Sequence, residues 1–416
     1  MGFKFWLALA CACAGLWARG AMAQAVPDET APAFPELLRQ AEAKAPRLRV
    51  LDAEVEAAEG RARQAGAWAN PTLGVEVEDL AGSEPYRGSQ RAQTTVSLSE
   101  PLELFGQRGA RKAAGQAGVR AADADRFAER LDFACELAVT YAESEAAQAR
   151  VGVLADDLAR ARDDVRSVRA LVSAGREADL RAVQADAAAA TAQAELDASR
   201  AELIDALARL SSLAGSERGF TRVTPSLLQT SRAVASAMID PLDSPAVRAA
   251  GARRELAEKR LIVERKRAIP LPALSVGTRK YNAEDANAWV FGVSLPLPLF
   301  DRNRGDIAAA RAEVAAAQAR ESATRLETQA AARGAAAHLQ AAESRQVAAD
   351  QAEAAAGEAY RLARVGYEAG RTPLVELLAS RRLLSESLSR ALDARVARVS
   401  AQATLSRLSG RLPFVE

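Results

Sequence analysis

The chain has 416 residues, of which 49% are hydrophobic but only 5% aromatic, so its apolar content favours long helices packed through alanine. Basic and acidic residues nearly balance, at 55 against 54, which removes the global positive charge expected of a nucleic-acid-binding protein. With one His, three Cys and three Met, the chain lacks the side chains for a catalytic triad or a clustered metal site, and we expect no enzymatic activity and no cofactor.

Residues 1–23 predict a secretory signal peptide. Lys4 precedes an apolar run, and Ala21-Met22-Ala23 forms a small-x-small cleavage site. Cys11 and Cys13 lie inside this segment, and the absence of Leu three residues before either one argues against lipid attachment. The exported chain would therefore keep Cys135 alone and form no internal disulfide.

The first repeat, residues 24–214, begins with a predicted helix from about Phe34 to Trp68, whose apolar residues fall on one stripe. A β-hairpin follows at about 71–100, because apolar and polar residues alternate along both strands. One face carries the apolar set Leu73, Val75, Val77, Val96 and Leu98, while the other carries residues such as Glu76 and Glu78.

A long helical hairpin completes this repeat. About 65 residues without proline, from Arg108 to Val172, predict a helix of roughly 95 to 100 Å. The chain turns at Gly175 and returns through a shorter helix to about Leu213. The helix preceding the β-hairpin is then expected to stack end to end on the returning helix.

The same plan recurs in residues 244–416, with a β-hairpin at about 272–298 and a helical tip at Gly370. Ala174-Gly175-Arg176 matches Ala369-Gly370-Arg371, and Val96–Gly109 resembles Val293–Gly305. The apolar face of the second hairpin carries Trp289, Phe291 and Val293. Residues 215–243 link the repeats, either as an equatorial belt outside the helices or as a flexible tether.

The two hairpins favour a membrane β-barrel over a small sheet packed on helices. The chain is predicted to be exported, and its strands approach the 9 to 11 residues that a tilted strand needs to cross a bilayer. Four strands cannot close a wide barrel alone, so several copies must combine their strands. The residues predicted to turn the chain from strand to helix are Pro101, Gly106, Gly109, Pro296, Pro298 and Gly305.

This duplicated plan resembles the outer membrane efflux protein family, the TolC-like channels. The segments 70–80, 93–104 and 293–305 are similar to its CzcC-like branch, which serves heavy-metal efflux pumps of the resistance-nodulation-division (RND) type. The resemblance implies a mainly α homotrimer, with an α-barrel continuous with a twelve-stranded β-barrel in outer-membrane lipid. It also implies a periplasmic adaptor and an inner-membrane RND pump as partners, and no nucleic acid.

The resemblance places a gate and an adaptor-docking surface at the periplasmic helical tips. The family signature Tyr-x-x-Gly falls on Tyr367 and Gly370, whereas the first repeat has Val172 in place of the tyrosine. Glu376 is either part of an acidic cation filter near the channel axis or a solvated helix residue. The full set of tip residues is Gly175, Arg176, Tyr367, Gly370, Arg371 and Glu376.

The resulting hypothesis is an outer-membrane channel that passively conducts divalent cations of cobalt, zinc, cadmium or nickel. Cys135, His338 and Met238 lie too far apart in sequence to predict a metal site, so metal selection is assigned to the pump. One alternative is a channel of the same family for organic compounds or secreted polypeptides. An alternative of another class is a periplasmic adaptor or coiled-coil scaffold.

Overall fold

The computed structural model describes residues 29–229 and 240–415. The predicted signal peptide, with Cys11 and Cys13, and also Met238 lie outside these ranges. The first part of the chain contains β1 (Thr30–Ala31), α1 (Phe34–Lys44), α2 (Pro46–Ala65), β2 (Thr72–Glu78), β3 (Gln93–Pro101), α3 (Gln107–Ser173), α4 (Asp179–Ala214) and β4 (Arg222–Val223). The second contains α5 (Pro245–Arg267), β5 (Ala273–Tyr281), β6 (Ala286–Ser294), α6 (Arg304–Glu368) and α7 (Leu374–Ser409).

The prediction of a single helix from Phe34 to Trp68 is wrong. Two helices occupy this stretch, because Ala45 adopts φ −61° and ψ 123° in front of Pro46. A residue that precedes proline is pushed out of the helical region, and proline then starts the next helix well since its φ is already suitable. The second of these helices ends at Ala65, before Trp68.

The four longer strands form one antiparallel sheet in the order β2-β3-β5-β6. The central contact between β3 and β5 joins the two repeats, with Ser97 opposite Gly277. Within this chain β2 and β6 each have one neighbouring strand, so the sheet has two open edges.

The helices form a wall built on the two long helices. Helix α3 spans 67 residues and α6 spans 65, while the returning helices α4 and α7 have 36 each. Helices α2 and α4 pack on different lengths of α3, and α5 and α7 pack likewise on α6. Gly115 brings α2 and α3 close together, since a Cβ at this position would lie 2.8 Å from Ala62 Cα. None of the helices in the described ranges has the length and apolarity needed to cross a bilayer.

Residues 223–227 of the inter-repeat linker are bound to one face of α3. Gln148 donates to the Val223 carbonyl at 3.1 Å and accepts the Val223 N–H at 2.9 Å, so its amide pairs with the free edge of β4. The Glu145 carboxylate accepts the N–H groups of Ser226 and Leu227 at 3.1 and 3.0 Å. This stretch of the linker is therefore fastened to the wall by side chains one helical turn apart.

Candidate functional site

Both helical tips turn through the same backbone motif. Gly175 and Gly370 each have φ 69°, in the left-handed region that glycine adopts without strain. The Arg176 N–H bonds to the Leu171 carbonyl at 2.9 Å, and the Arg371 N–H bonds to the Gly366 carbonyl at 2.8 Å. These bonds satisfy carbonyls at the end of each long helix, as in a Schellman motif.

The predicted tip residues divide into an exposed group and a buried tyrosine. Arg176, Arg371 and Glu376 are exposed, so their charges are available at the end of the molecule. Tyr367 is only 3% exposed, and its ring packs in an apolar cluster with Leu374 and Leu377. The geometry thus separates a charged outer surface from an apolar interior directly beneath it.

The Tyr367 hydroxyl is buried without a hydrogen-bond partner in the described chain. Burial raises the pKa of this phenol, and the nearby Glu177 raises it further. Arg181 lowers the pKa of Tyr367. The phenol therefore lies near charged groups at the start of the first returning helix. The tyrosine of the second repeat therefore contacts the tip of the first.

A buried charged cluster lies about three to five helical turns from the tips, and the sequence analysis missed it. Arg381 on α7 donates from Nη1 to Asp157 Oδ2 on α3 at 2.8 Å. Its Nε lies 3.5 Å from Asp164 Oδ2, also on α3. The three side chains are 5 to 7% exposed.

The helical periodicity of the sequence could have revealed this cluster, because its charged residues fall on apolar stripes. Arg381 continues the stripe of Leu374, Leu377, Leu384 and Leu388, and Asp164 falls between Ala161 and Val168 on the buried stripe of α3. A charged residue at a core position of a helix requires a partner, because an isolated buried charge is strongly destabilising.

The two carboxylates of this cluster have different surroundings from ordinary surface acids. Burial raises the pKa of Asp164 from 3.8 to about 6, and Arg381 opposes the shift. Burial also raises the pKa of Asp157, again against the attraction of Arg381. One guanidinium therefore faces two buried carboxylates.

The sheet has one apolar and one polar face, as the alternation of the sequence predicts. Leu73 pairs with Leu98 and Val75 with Val96. On β6, the exposed fractions of Trp289, Phe291 and Val293 are 72%, 75% and 77%. Val77, the remaining residue of the predicted apolar face, is also exposed.

On the opposite face, Arg279 spans three strands. From β5 it donates to Thr95 Oγ1 on β3 at 2.9 Å, and it forms an ion pair of 2.8 Å with Glu78 on β2. The polar face of the sheet is therefore linked across three strands by one arginine.

The strand-to-helix corners contain Asn303 in addition to the predicted residues. Pro101 ends β3, and the left-handed residues that follow are Gly106, with φ 80°, and Asn303, with φ 55°. Gly109 and Gly305 lie inside the first turns of α3 and α6. Pro296 and Pro298 lie in an exposed segment that also carries Leu297, Leu299 and Phe300.

No three His, Cys, Asp or Glu side chains within residues 29–229 and 240–415 come together to hold a metal ion. His338 is exposed on α6. Cys135 is buried, and its thiol lies 3.2 Å from the Ala403 carbonyl. Both residues therefore have local environments that differ from those of clustered metal ligands.

Comparison with known proteins gives consistent matches. The model of the outer membrane efflux protein family matches residues 37–216 and 242–411. The chain is 43% identical over 386 residues to the nickel-cobalt-cadmium resistance protein NccC of Alcaligenes xylosoxydans xylosoxydans, covering 93% of this chain and 88% of NccC. It is 44% identical over 280 residues to the nickel and cobalt resistance protein CnrC of Cupriavidus metallidurans, covering 67% of each. The solved structure of the outer-membrane channel OprN, 22% identical, aligns with a TM-score of 0.78 over 91% of this chain and 90% of that one.

Proposed function

The chain belongs to the outer membrane efflux protein family, and we propose that it forms the outer-membrane channel of an RND-type system exporting divalent heavy-metal cations. It is a protein of the outer membrane, with a helical part that extends into the periplasm. The resemblance to heavy-metal efflux channels, predicted from the hairpin and corner segments, is confirmed by the likeness to NccC and CnrC. The observation that supports heavy-metal cations as the exported substrate is the 43% identity to a nickel-cobalt-cadmium resistance protein.

The open edges of the protomer support a homotrimer. Strands β2 and β6 are unpaired on their outer sides, and unpaired backbone groups cannot face lipid hydrocarbon without a large cost. Pairing β2 of one copy with β6 of the next would close twelve strands from three copies into a barrel. The apolar strand face, including Trp289 and Phe291, would then contact lipid, while Arg279 and Glu78 would line the water-filled interior.

The helical wall has matching open edges. Helix α4 packs on α3, and α6 packs on α5 and α7, but α4 and α6 have little contact with each other. Both outer helices expose large apolar residues that a second copy would cover: Leu180, Val183 and Ile204 on α4, and Leu326, Val347, Leu362 and Val365 on α6. One ring of three copies would therefore close both the sheet and the helical wall.

The side chains that line the helical wall suit the passage of ions rather than their retention. A cavity of about 880 Å³ is lined by α2, α3, α5 and α6, which are successive helices of the wall. We infer that this cavity faces the channel interior in the trimer. Acids such as Glu54 and Asp125 alternate there with bases such as Arg61 and Arg253, so opposite charges are close together. Such a surface suits passive passage of hydrated ions without a catalysed reaction.

The tips are proposed as the gate and the surface that docks a periplasmic adaptor, which in turn joins the channel to the inner-membrane pump. Arg176 and Arg371 are exposed at the outermost turns, where an adaptor would meet them. Glu376 is exposed on the first turn of α7, and three copies around an axis would give an acidic ring at the entrance.

Growth of a strain that lacks this chain tests the cargo. We expect lower tolerance to nickel, cobalt, cadmium or zinc, restored by the complete chain supplied on a plasmid. Unchanged metal tolerance with increased sensitivity to organic toxicants would instead identify a channel for organic compounds. Recovery of the chain in the soluble periplasmic fraction would contradict the channel and favour an adaptor or scaffold.

Conductance in a planar bilayer tests the pore and its entrance. Glu376→Lys is expected to reduce cation preference, measured as a smaller reversal potential in a salt gradient, since it reverses three charges at the proposed ring. Glu386→Lys is the matched control, because Glu386 lies further along α7 and already pairs with Arg382 and Arg390. Equal reversal potentials in the wild type and both variants would show that Glu376 is only a solvated helix residue.

A further inference from the structure

The cluster of Asp157, Asp164 and Arg381 links the helical hairpin of the first repeat to that of the second. Asp157 and Asp164 lie on α3, and Arg381 lies on α7. Arg381 Nη1 also lies 3.4 Å from the Asp157 carbonyl, so the guanidinium contacts the α3 backbone as well. Separation of α3 from α7 would break all of these contacts together.

The cluster holds one more negative group than positive groups. Asp157 Oδ1, Asp164 Oδ2 and Arg381 Nε are buried without a hydrogen-bond partner in the described chain, even though Arg381 Nε faces Asp164 at 3.5 Å. Buried polar atoms without partners are costly, and two ionised carboxylates beside one guanidinium leave an uncompensated charge. Addition of one proton would remove that charge and supply a hydrogen-bond donor.

The surrounding helices do not supply a full counter-charge. On α3, Arg160 and Asp163 flank the cluster, and on α4, Glu195 adds negative potential at Asp157. On α6, Arg364 attracts Asp164, although its own Nε donates to Glu368 at 3.2 Å. The remaining groups near Asp164 are the phenols of Tyr360 and Tyr367, also on α6, and both have unpartnered buried hydroxyls.

This arrangement departs from the repeat symmetry of the chain. At the offset that relates Gly175 to Gly370, Arg381 corresponds to Asp186 of the first repeat. Asp186 lies on α4 and pairs with Arg169 on α3 at 2.9 Å, in an exposed ion pair within one hairpin. The second repeat has arginine at that position, directed toward the acids of the other hairpin.

We propose that Asp157, Arg381 and Asp164 form a proton-sensitive tie between the two hairpins: with one shared proton the hairpins stay packed, and without it α3 and α7 separate more readily. The tie is a regulatory device of the proposed channel, since separation of the hairpins would widen the tip. Acid conditions favour the packed arrangement, because a carboxyl group with a raised pKa binds its proton more tightly in the packed state than in the separated one. Asp164 is the group that takes up the proton, since its pKa rises to about 6.

Amide hydrogen exchange of the full chain in detergent micelles tests the tie without requiring conduction. The measured quantity is the protection factor of peptides from the start of α7, residues 374–388, at pH 7.5 and pH 5.0. With pKa values of about 6 in the packed state and 3.8 in the separated state, wild-type protection is expected to rise about tenfold at pH 5.0. Asp164→Asn is expected to show the higher protection at both pH values, since the neutral amide imitates the protonated acid.

Asp186→Asn is the matched control, because Asp186 is the exposed first-repeat counterpart of Arg381, pairs with Arg169, and should leave the pH response unchanged. Arg381→Met should lower protection at pH 7.5, where two unpaired carboxylates would face each other. The proposal is overturned if Asp164→Asn retains the wild-type pH response, or if it lowers protection equally at both pH values. Failure of the chain to conduct would count against the channel alone and would leave this measurement decisive.

Discussion

At the scale of single residues, the buried tyrosines have different hydrogen-bonding environments. The Tyr141 hydroxyl lies 3.0 Å from the Pro32 carbonyl and also contacts the Thr224 carbonyl, so it binds the segments that carry β1 and β4. The hydroxyls of Tyr360 and Tyr367 have no partner in the described chain. Burial alone therefore does not identify which hydroxyl stabilises the fold.

This difference predicts the effects of tyrosine-to-phenylalanine changes. Tyr141→Phe is expected to lower the free energy of unfolding by about 1 kcal/mol, since it leaves buried carbonyls without their donor. Tyr367→Phe removes an unpartnered hydroxyl and should leave stability unchanged or slightly increased. Thermal unfolding of the purified protein in detergent compares the two variants. Equal losses would contradict the assigned bonding.

Cys135 provides a second prediction at this scale. Burial raises the pKa of its thiol from 9.0 to about 11, so at pH 8 only about one thiol in a thousand is ionised. Because the thiolate is the reactive form, labelling by a maleimide should be slow and should accelerate about tenfold per pH unit up to pH 11. Unfolding in denaturant should restore the ordinary rate. Fast labelling of the folded protein at pH 8 would show that the thiol is exposed.

At the scale of elements, Gly277 is required by the close approach of β3 to β5. A Cβ at this position would lie 2.4 Å from the Val96 carbonyl oxygen and 2.9 Å from Ser97 Cα. These are backbone atoms of β3, so they can move away from an added methyl group only if the two strands separate. Gly277 thus lies at a point where the backbones of the two repeats leave no room for a side chain.

Gly277→Ala should reduce the yield of assembled protein in the outer-membrane fraction severalfold, because the added methyl group cannot be accommodated beside β3. Gly305→Ala is the matched control, since a Cβ there would meet nothing within 4 Å and the residue is helical. Alanine also suits a helix better than glycine does. Normal assembly of both variants, measured by immunoblotting of membrane fractions, would contradict the requirement for glycine.

At the scale of the whole molecule, local periodicity predicts the long helices and the strands well because both patterns repeat over many residues. Helix α3, for example, covers Gln107–Ser173 where the sequence predicts 108 to 172. Contacts between distant segments leave no such pattern. The binding of the linker by Gln148 and the pairing of Arg381 with Asp157 both join residues far apart in sequence. The helix break at Ala45 was predictable from the sequence, because the residue before a proline avoids the helical region.

The proposed trimer leads to a prediction about the seam between copies. Ile204 on α4 is 67% exposed in the protomer and lies on a helix at the open edge of the wall. Ile204→Glu would place a charge in the apolar seam, and we expect the trimer dissociation constant to increase at least tenfold.

The control for the seam variant is Leu383→Glu. Leu383 is 47% exposed on α7, which already has α3 and α6 as neighbours, so a glutamate there should leave the trimer intact. Light scattering of the detergent-solubilised protein gives the mass of each variant. A trimeric Ile204→Glu variant would contradict a seam at α4, and monomers from both variants would indicate a general loss of the fold. Monomers from the Ile204 variant alone would identify α4 as the surface through which the copies close the channel.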